Sequence, residues 1–216
     1  MDLHLWLAYF AAAWLIALSP GSGAVLTMSH GLAYGVRKTS VTIAGLQLGL
    51  SVTLLIAGVG VGAVLVASAS AFLVVKVLGA AYLMWLGWRQ WRTRANPDDA
   101  APAVVADASG LSARQRLLRG LLTNLTNPKG IVFMVAVLPQ FIDPARPMAL
   151  QLLVLLLTTI VADTIVMHGY AWLASRLRGL LRSARARTAQ NRLFGGVLMA
   201  MGASLLLVRR GSAAGH

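Results

Sequence analysis

The sequence predicts an all-α integral membrane protein. Six transmembrane helices are expected, set as two inverted three-helix repeats with helices 1 and 4 broken. Three observations predict this. First, hydrophobic residues make up 58% of the 216 residues and charged residues only 12%, whereas soluble domains run at about 45–50% and about 25%; the mean hydropathy is +0.74. Second, six apolar stretches each approach the ~20 residues that cross a bilayer. Third, a run of helix-breaking residues interrupts the first and the fourth stretch at corresponding places. A chain of this length fits one domain: 1–216, with repeat one about 1–92, a cytoplasmic linker about 93–117 and repeat two about 118–210.

The spans are expected at 3–29, 40–66, 70–91, 119–142, 149–171 and 193–208. The first is read as a retained span and not as a cleaved signal, because Asp2 precedes it and no Lys or Arg occurs before Arg37, where a signal would carry a basic n-region. The linker holds Pro97, Asp98, Asp99, Pro102, Asp107 and Gly110. Nineteen Lys and Arg against six Asp and Glu give a net charge of +13. In a soluble protein this would suggest a phosphate-binding surface. Here it reads as topology, with no nucleic-acid partner. Arg37 and Lys38 follow span 1. Arg89, Arg92, Arg94, Arg114, Arg116 and Arg119 flank the linker. Arg176, Arg178, Arg182, Arg185, Arg187 and Arg192 follow span 5. The positive-inside rule places these segments in the cytoplasm and both termini in the periplasm; only Arg146, Arg209 and Arg210 fall on the other side. Trp85, Trp88, Trp91 and Trp172 lie at span ends, as interface anchors do. Cysteine is absent, which excludes disulfides and thiolate metal sites.

Four features carry chemistry. Ser19-Pro20-Gly21-Ser22-Gly23 breaks span 1, since proline removes a donor and clashes with the preceding turn. The half-helix expected to start near Ala24 would present free N–H groups suited to a carboxylate. Asn124-Leu125-Thr126-Asn127-Pro128-Lys129-Gly130 repeats the device in span 4. Three spans per half is an odd number, so the second half must sit inverted, and paired broken helices in inverted repeats point to a substrate site. Asp163 is the only acid within a span, and an intramembrane carboxylate is functional by default, although a structural ion pair with Lys129 or Lys76 is the competing reading. Lys76, near a span end, can snorkel. Thr159, Asp163, Met167 and Tyr170 share one helix face. Finally, Gly45/Gly49 and Gly58/Gly62 form two Gly-x-x-x-Gly pairs on different faces of span 2, which reads as close packing. Gln47, opposite Gly45, is either pore-facing or hydrogen-bonded.

The chain has no Walker loop, no H-E-x-x-H and no G-x-S-x-G, and His4, His30, His168 and His216 lack ligand spacing. No enzymatic activity, cofactor or metal is expected. The two broken segments, together with Ile43-Ala44-Gly45-Leu46-Gln47-Leu48-Gly49, Gly79-Ala80-Ala81-Tyr82-Leu83-Met84-Trp85-Leu86-Gly87, Leu138-Pro139-Gln140-Phe141-Ile142 and Thr158-Thr159-Ile160-Val161-Ala162-Asp163, resemble the LysE/RhtB family of bacterial amino-acid exporters, and most closely its homoserine/homoserine lactone efflux branch. Many members read Pro-Gly-Pro where this chain has Pro20-Gly21-Ser22. The resemblance implies export of amino acids or their derivatives across the inner membrane, coupled to the proton motive force.

On this reading the partners are an amino acid, protons and the lipid bilayer; a homo-oligomer is allowed but not specified. Asp163 would take the substrate ammonium and the coupling proton in turn. The half-helix start at Pro20, Gly21, Ser22 and Gly23, or Lys129 after Pro128, would take the carboxylate. Gln47, Asn124, Asn127 and Thr159 would read the remaining polar atoms. One acid in the membrane favours neutral amino acids or homoserine lactone over lysine. The rivals are an exporter of other amino acids or cationic compounds, and a membrane-embedded enzyme or scaffold subunit built on Ser22, His30 and His168.

Overall fold

A computed structural model describes residues 1–67, 69–93, 110–143, 145–176 and 184–207. Every regular element among them is helical: α1 (Leu3–Leu18), α2 (Ser22–Ala67), α3 (Ala69–Arg92), α4 (Ala113–Leu125), α5 (Pro128–Val137) with a closing 3-10 turn (Leu138–Phe141), α6 (Met148–Arg176) and α7 (Ala184–Leu207). Arg94, Pro97, Asp98, Asp99, Pro102, Asp107, Arg178, Arg182, Arg209, Arg210 and His216 lie outside the described residues, as do the side chains of Arg185 and Arg187 and the packing of Gly62.

Helices cover the six expected apolar stretches, with four differences, of which one is that the last helix begins at Ala184 and not at 193. The connection between spans 1 and 2 is not a loop over 30–39. Helix runs through it and only Gly35 leaves helical geometry, at φ 73° and ψ 169°. A Cβ would oppose that positive φ, so glycine there permits a sharp bend without a linker. The half-helix after the first break begins at Ser22, two residues before the expected start. Span 4 begins at Ala113 and not near 119, because Ser112 and Gln115 form a reciprocal capping box that satisfies two free N–H groups of the first turn.

Among the described residues, two helices, Ser22–Gly60 and Met148–Arg176, are long and apolar enough to cross a membrane. A third qualifies if Ala113–Leu125 and Pro128–Phe141, bent by 49° at their break, count as one span. The surface of the fold carries large apolar side chains, while several polar side chains lie in its interior. Ile56, Val59, Leu78 and Val161 are more than half exposed, while Thr27, His30, Thr42, Asn124 and Gln151 are buried. Only an apolar surrounding makes that distribution favourable. Lys76 is buried, at 9% exposed.

α2 packs against α4 and α6, α1 against α6, and α3 against α5 and α7. Glycine sets the closest approaches. A Cβ on Gly45 would strike the Leu117 carbonyl, one on Gly49 would lie 2.7 Å from the Leu121 carbonyl, and one on Gly120 would strike the Thr42 carbonyl. Gly58 instead faces Leu152 of α6, so the glycines of α2 do serve different neighbours. Gly120→Leu is expected to wedge α2 from α4 and cost upwards of 1–3 kcal/mol. That corresponds to a fall in Tm of about 2–12 °C for a domain of this size, read by thermal denaturation in detergent. Gly169→Ala, where a Cβ meets nothing within 4 Å, is the silent control.

Candidate functional site

The first break ends α1 and leaves its last carbonyls without intrahelical donors. The rest of the protein supplies them. Ser19 N–H donates to Leu15 O at 3.2 Å. Lys129 Nζ donates to Ile16 O at 3.1 Å and also to Ser19 O. The Tyr170 hydroxyl donates to Leu18 O at 2.6 Å, and Gln90 Nε2 reaches Pro20 O at 3.5 Å. The end of α1 is therefore held by side chains from α3, α5 and α6. A cation at a helix C-terminus also opposes the partial negative charge there.

The second break is built differently. Thr126 ends α4, and Asn127 caps α5 by accepting from Lys129 N–H at 3.2 Å, with Pro128 at the first helical position. Proline suits that place because its missing N–H had no partner to lose. The two breaks meet: a Cβ on Gly21 would lie 3.2 Å from Lys129 Cε and 3.8 Å from Asn127 Nδ2.

Between them lies a cavity of about 50 Å³, room for roughly three to five waters. Ser19, Gly21, Gly23, Asn124, Asn127, Lys129, Thr159 and Asp163 form its polar lining, with apolar walls from Ala13, Ile16, Leu46, Leu50, Phe133, Met134 and Met167. Those walls belong to two separate apolar clusters, so the cavity sits where they adjoin. The first hydrogen bond of α2 runs from Val25 N–H to Gly21 O. The N–H groups of Ser22, Gly23 and Ala24 precede it, and both half-helices direct their N-terminal ends toward this region.

Asp163 accepts from Gln47 Nε2 at 2.7 Å, while Gln47 Oε1 is buried without a partner among the described residues. Lys129 turns its ammonium to the α1 carbonyls and does not close on the carboxylate. Asn124 Nδ2 donates to Leu46 O at 2.7 Å. The Thr159 hydroxyl donates to Leu155 O and accepts from Tyr9 Oη at 2.5 Å. Thr159, Asp163 and Met167 do share the cavity-facing side of α6. Pro20, Ser22, Gln47 and Pro128 are not among the lining residues: the prolines shape the breaks, Ser22 opens α2, and Gln47 reaches the site through Asp163. His30 bonds Thr42 at 2.6 Å and His168 bonds Ser40 at 3.1 Å; neither histidine lines the cavity.

Sequence reasoning missed Tyr9 and the capping role of Tyr170. A phenol within an apolar span carries a hydroxyl that needs a partner, which was the available signal. It also missed that Lys129 would be claimed by backbone.

The described residues form an all-helical membrane protein with a cavity between two broken helices, its apolar walls carrying Asp163 and Lys129. The chain belongs to the LysE type translocator family, whose profile matches residues 14–209. It is 43% identical over 211 residues to the homoserine/homoserine lactone efflux protein of Salmonella typhi, covering 97% of this chain and 99% of that one. It is 47% identical over 203 residues to a membrane protein of Vibrio cholerae (94% and 96% covered). It is 36% identical over 138 residues to the leucine efflux protein of Klebsiella pneumoniae (64% and 63%). No solved structure matches.

Proposed function

We propose that this chain is a secondary active exporter of amino acids in the bacterial inner membrane, driven by proton antiport, with homoserine, homoserine lactone or threonine as substrate. The observation that carries the reading is Asp163 in a cavity shared by both helix breaks. A carboxylate there takes either a proton or a substrate ammonium, and the exclusion of one by the other is sufficient for exchange. Protonation from the periplasm releases the substrate; deprotonation toward the cytoplasm admits the next. Access to the cavity from the two sides in turn would come from rocking of one repeat against the other.

Two features support inverted repeats. The broken helices occupy corresponding places in the two halves. α3 and α7 pack antiparallel about Gly87 and Gly195, with Gly202 against Ala80, as third members of opposed repeats would. The orientation with both termini periplasmic is supported by basic residues at one end of the bundle. Arg37 and Lys38 follow the α2 bend, Arg114 and Arg119 begin α4, and Arg176 ends α6. These ends are tied by Leu111 N–H to Tyr34 Oη at 2.8 Å and by Gly31 against Ala171.

Purified chain in proteoliposomes under an imposed proton gradient is the test. Homoserine or threonine is expected to move uphill, dissipating the gradient, while lysine and a hydrophobic cation do not. Transport of leucine alone would move the substrate toward that of the Klebsiella relative. Substrate movement indifferent to the gradient would overturn the antiport.

A further inference from the structure

One buried charge has no role in this scheme. Arg116, in the first turns of α4, is 8% exposed, and its Nε is buried with no hydrogen-bond partner among the described residues. Its guanidinium carbon lies 4.7 Å from the centre of the Tyr34 ring. That ring is fixed in turn, because the Tyr34 hydroxyl accepts from Leu111 N–H at 2.8 Å, just before α4. A cation–π contact offsets only part of what a buried guanidinium loses in hydration.

Arg116 is also placed on a route. α4 buries Arg116, Gly120 and Asn124, three residues at four-residue spacing and hence one stripe. Gly120 brings that stripe against the α2 backbone at Thr42 and Leu46, and Asn124 reaches the cavity. At 1.5 Å rise per residue, Arg116 stands about 12 Å along the helix from Asn124. On the orientation proposed above, it lies at the cytoplasmic end of the α2–α4 seam.

We propose that Arg116, backed by Tyr34, is a reception site for the substrate carboxylate on its way from the cytoplasm to the cavity. A guanidinium stacked on a ring still presents its planar edge, and a carboxylate matches that fork with two parallel hydrogen bonds. Lys129, the cation of the cavity itself, is committed to the carbonyls of Ile16 and Ser19, which leaves Arg116 as the guanidinium able to read this group first. The inference rests on the amino-acid efflux reading and adds to it the recognition of one functional group.

Homoserine and homoserine lactone separate the two ideas, since they share an ammonium but the lactone has its carboxylate closed into a neutral ester. Uptake into inverted membrane vesicles, whose outer face is cytoplasmic, is measured for wild type and Arg116→Gln against vesicles lacking the chain. The half-saturation concentration for homoserine is expected to rise at least tenfold in Arg116→Gln and to stay within twofold for the lactone. If the variant fails to insert, Arg116→Lys, which keeps the charge and loses the fork, carries the same comparison with a rise of about threefold for homoserine alone. Equal changes for both compounds, or none, overturn the reception site alone. A wild-type chain that moves neither compound overturns homoserine and its lactone as substrates, and the reception site with them.

Discussion

Asp163→Asn is expected to abolish proton-coupled export while the protein still folds and inserts. The fold tolerates the change because the neighbour that holds Asp163 is a donor: Gln47 Nε2 gives its hydrogen to Oδ2 at 2.7 Å, and the amide oxygen of an asparagine accepts the same bond. Volume and shape are conserved, so the cavity walls from Leu50, Phe133 and Met134 need not move. What is lost is the ability to change charge. A hydrogen bond to an ionised partner contributes about 1.5–3 kcal/mol, so replacing the carboxylate weakens ammonium binding by roughly 10–100-fold. Coupling falls further, because no other acid among the cavity-lining residues exchanges a proton. In proteoliposomes the gradient-driven accumulation of homoserine should vanish. Wild type should bind substrate less well as the loading side is acidified, protons displacing ammonium from Asp163, and the variant should show a flat profile. Uphill transport at the wild-type rate by Asp163→Asn would remove Asp163 from the mechanism.

Much of this site was legible because each of its parts leaves a mark that does not depend on tertiary contacts. A proline set among glycines or polar residues in an apolar run breaks a helix, so both breaks could be located from Ser19–Gly23 and Asn124–Gly130. A lone acid in a span is conspicuous by its cost, and the helical period alone put Thr159, Asp163 and Met167 on one side of α6. The Gly35 bend was less legible. Thr39 and Ser40, beside Arg37 and Lys38, look like loop, yet their hydroxyls donate to Gly35 O and Val36 O inside the helix. The early start of α4 was written in Ser112 and Gln115 as a capping box, but the arginines around it obscured the helical reading. The partner of Lys129 could not be read at all. It is the backbone of α1, more than a hundred residues away, and carbonyls carry no sequence signal.

That partner changes what Lys129 should do. Lys129→Met is expected to destabilise the protein before it affects recognition. The lysine ammonium serves Ile16 O and Ser19 O, two carbonyls at the frayed end of α1, and methionine keeps the stem while removing every donor. Each carbonyl left unsatisfied in the interior costs about 1–3 kcal/mol, so the pair amounts to about 2–6 kcal/mol. At roughly 2–4 °C per kcal/mol, Tm in detergent should fall by about 4–24 °C. Tyr170→Phe removes a single donor, to Leu18 O, and should lower Tm by about half as much. Because the two side chains bond different carbonyls of one helix end, the double variant should depart from the sum of the two, as coupled neighbours do. Substrate affinity should fall in Lys129→Met as well, since Gly21 and Asn127 are positioned against the lysine stem. An unchanged Tm accompanied by a tenfold loss of homoserine affinity would instead make Lys129 a direct ligand of the carboxylate, and the capping of α1 would then be incidental to its presence in the cavity.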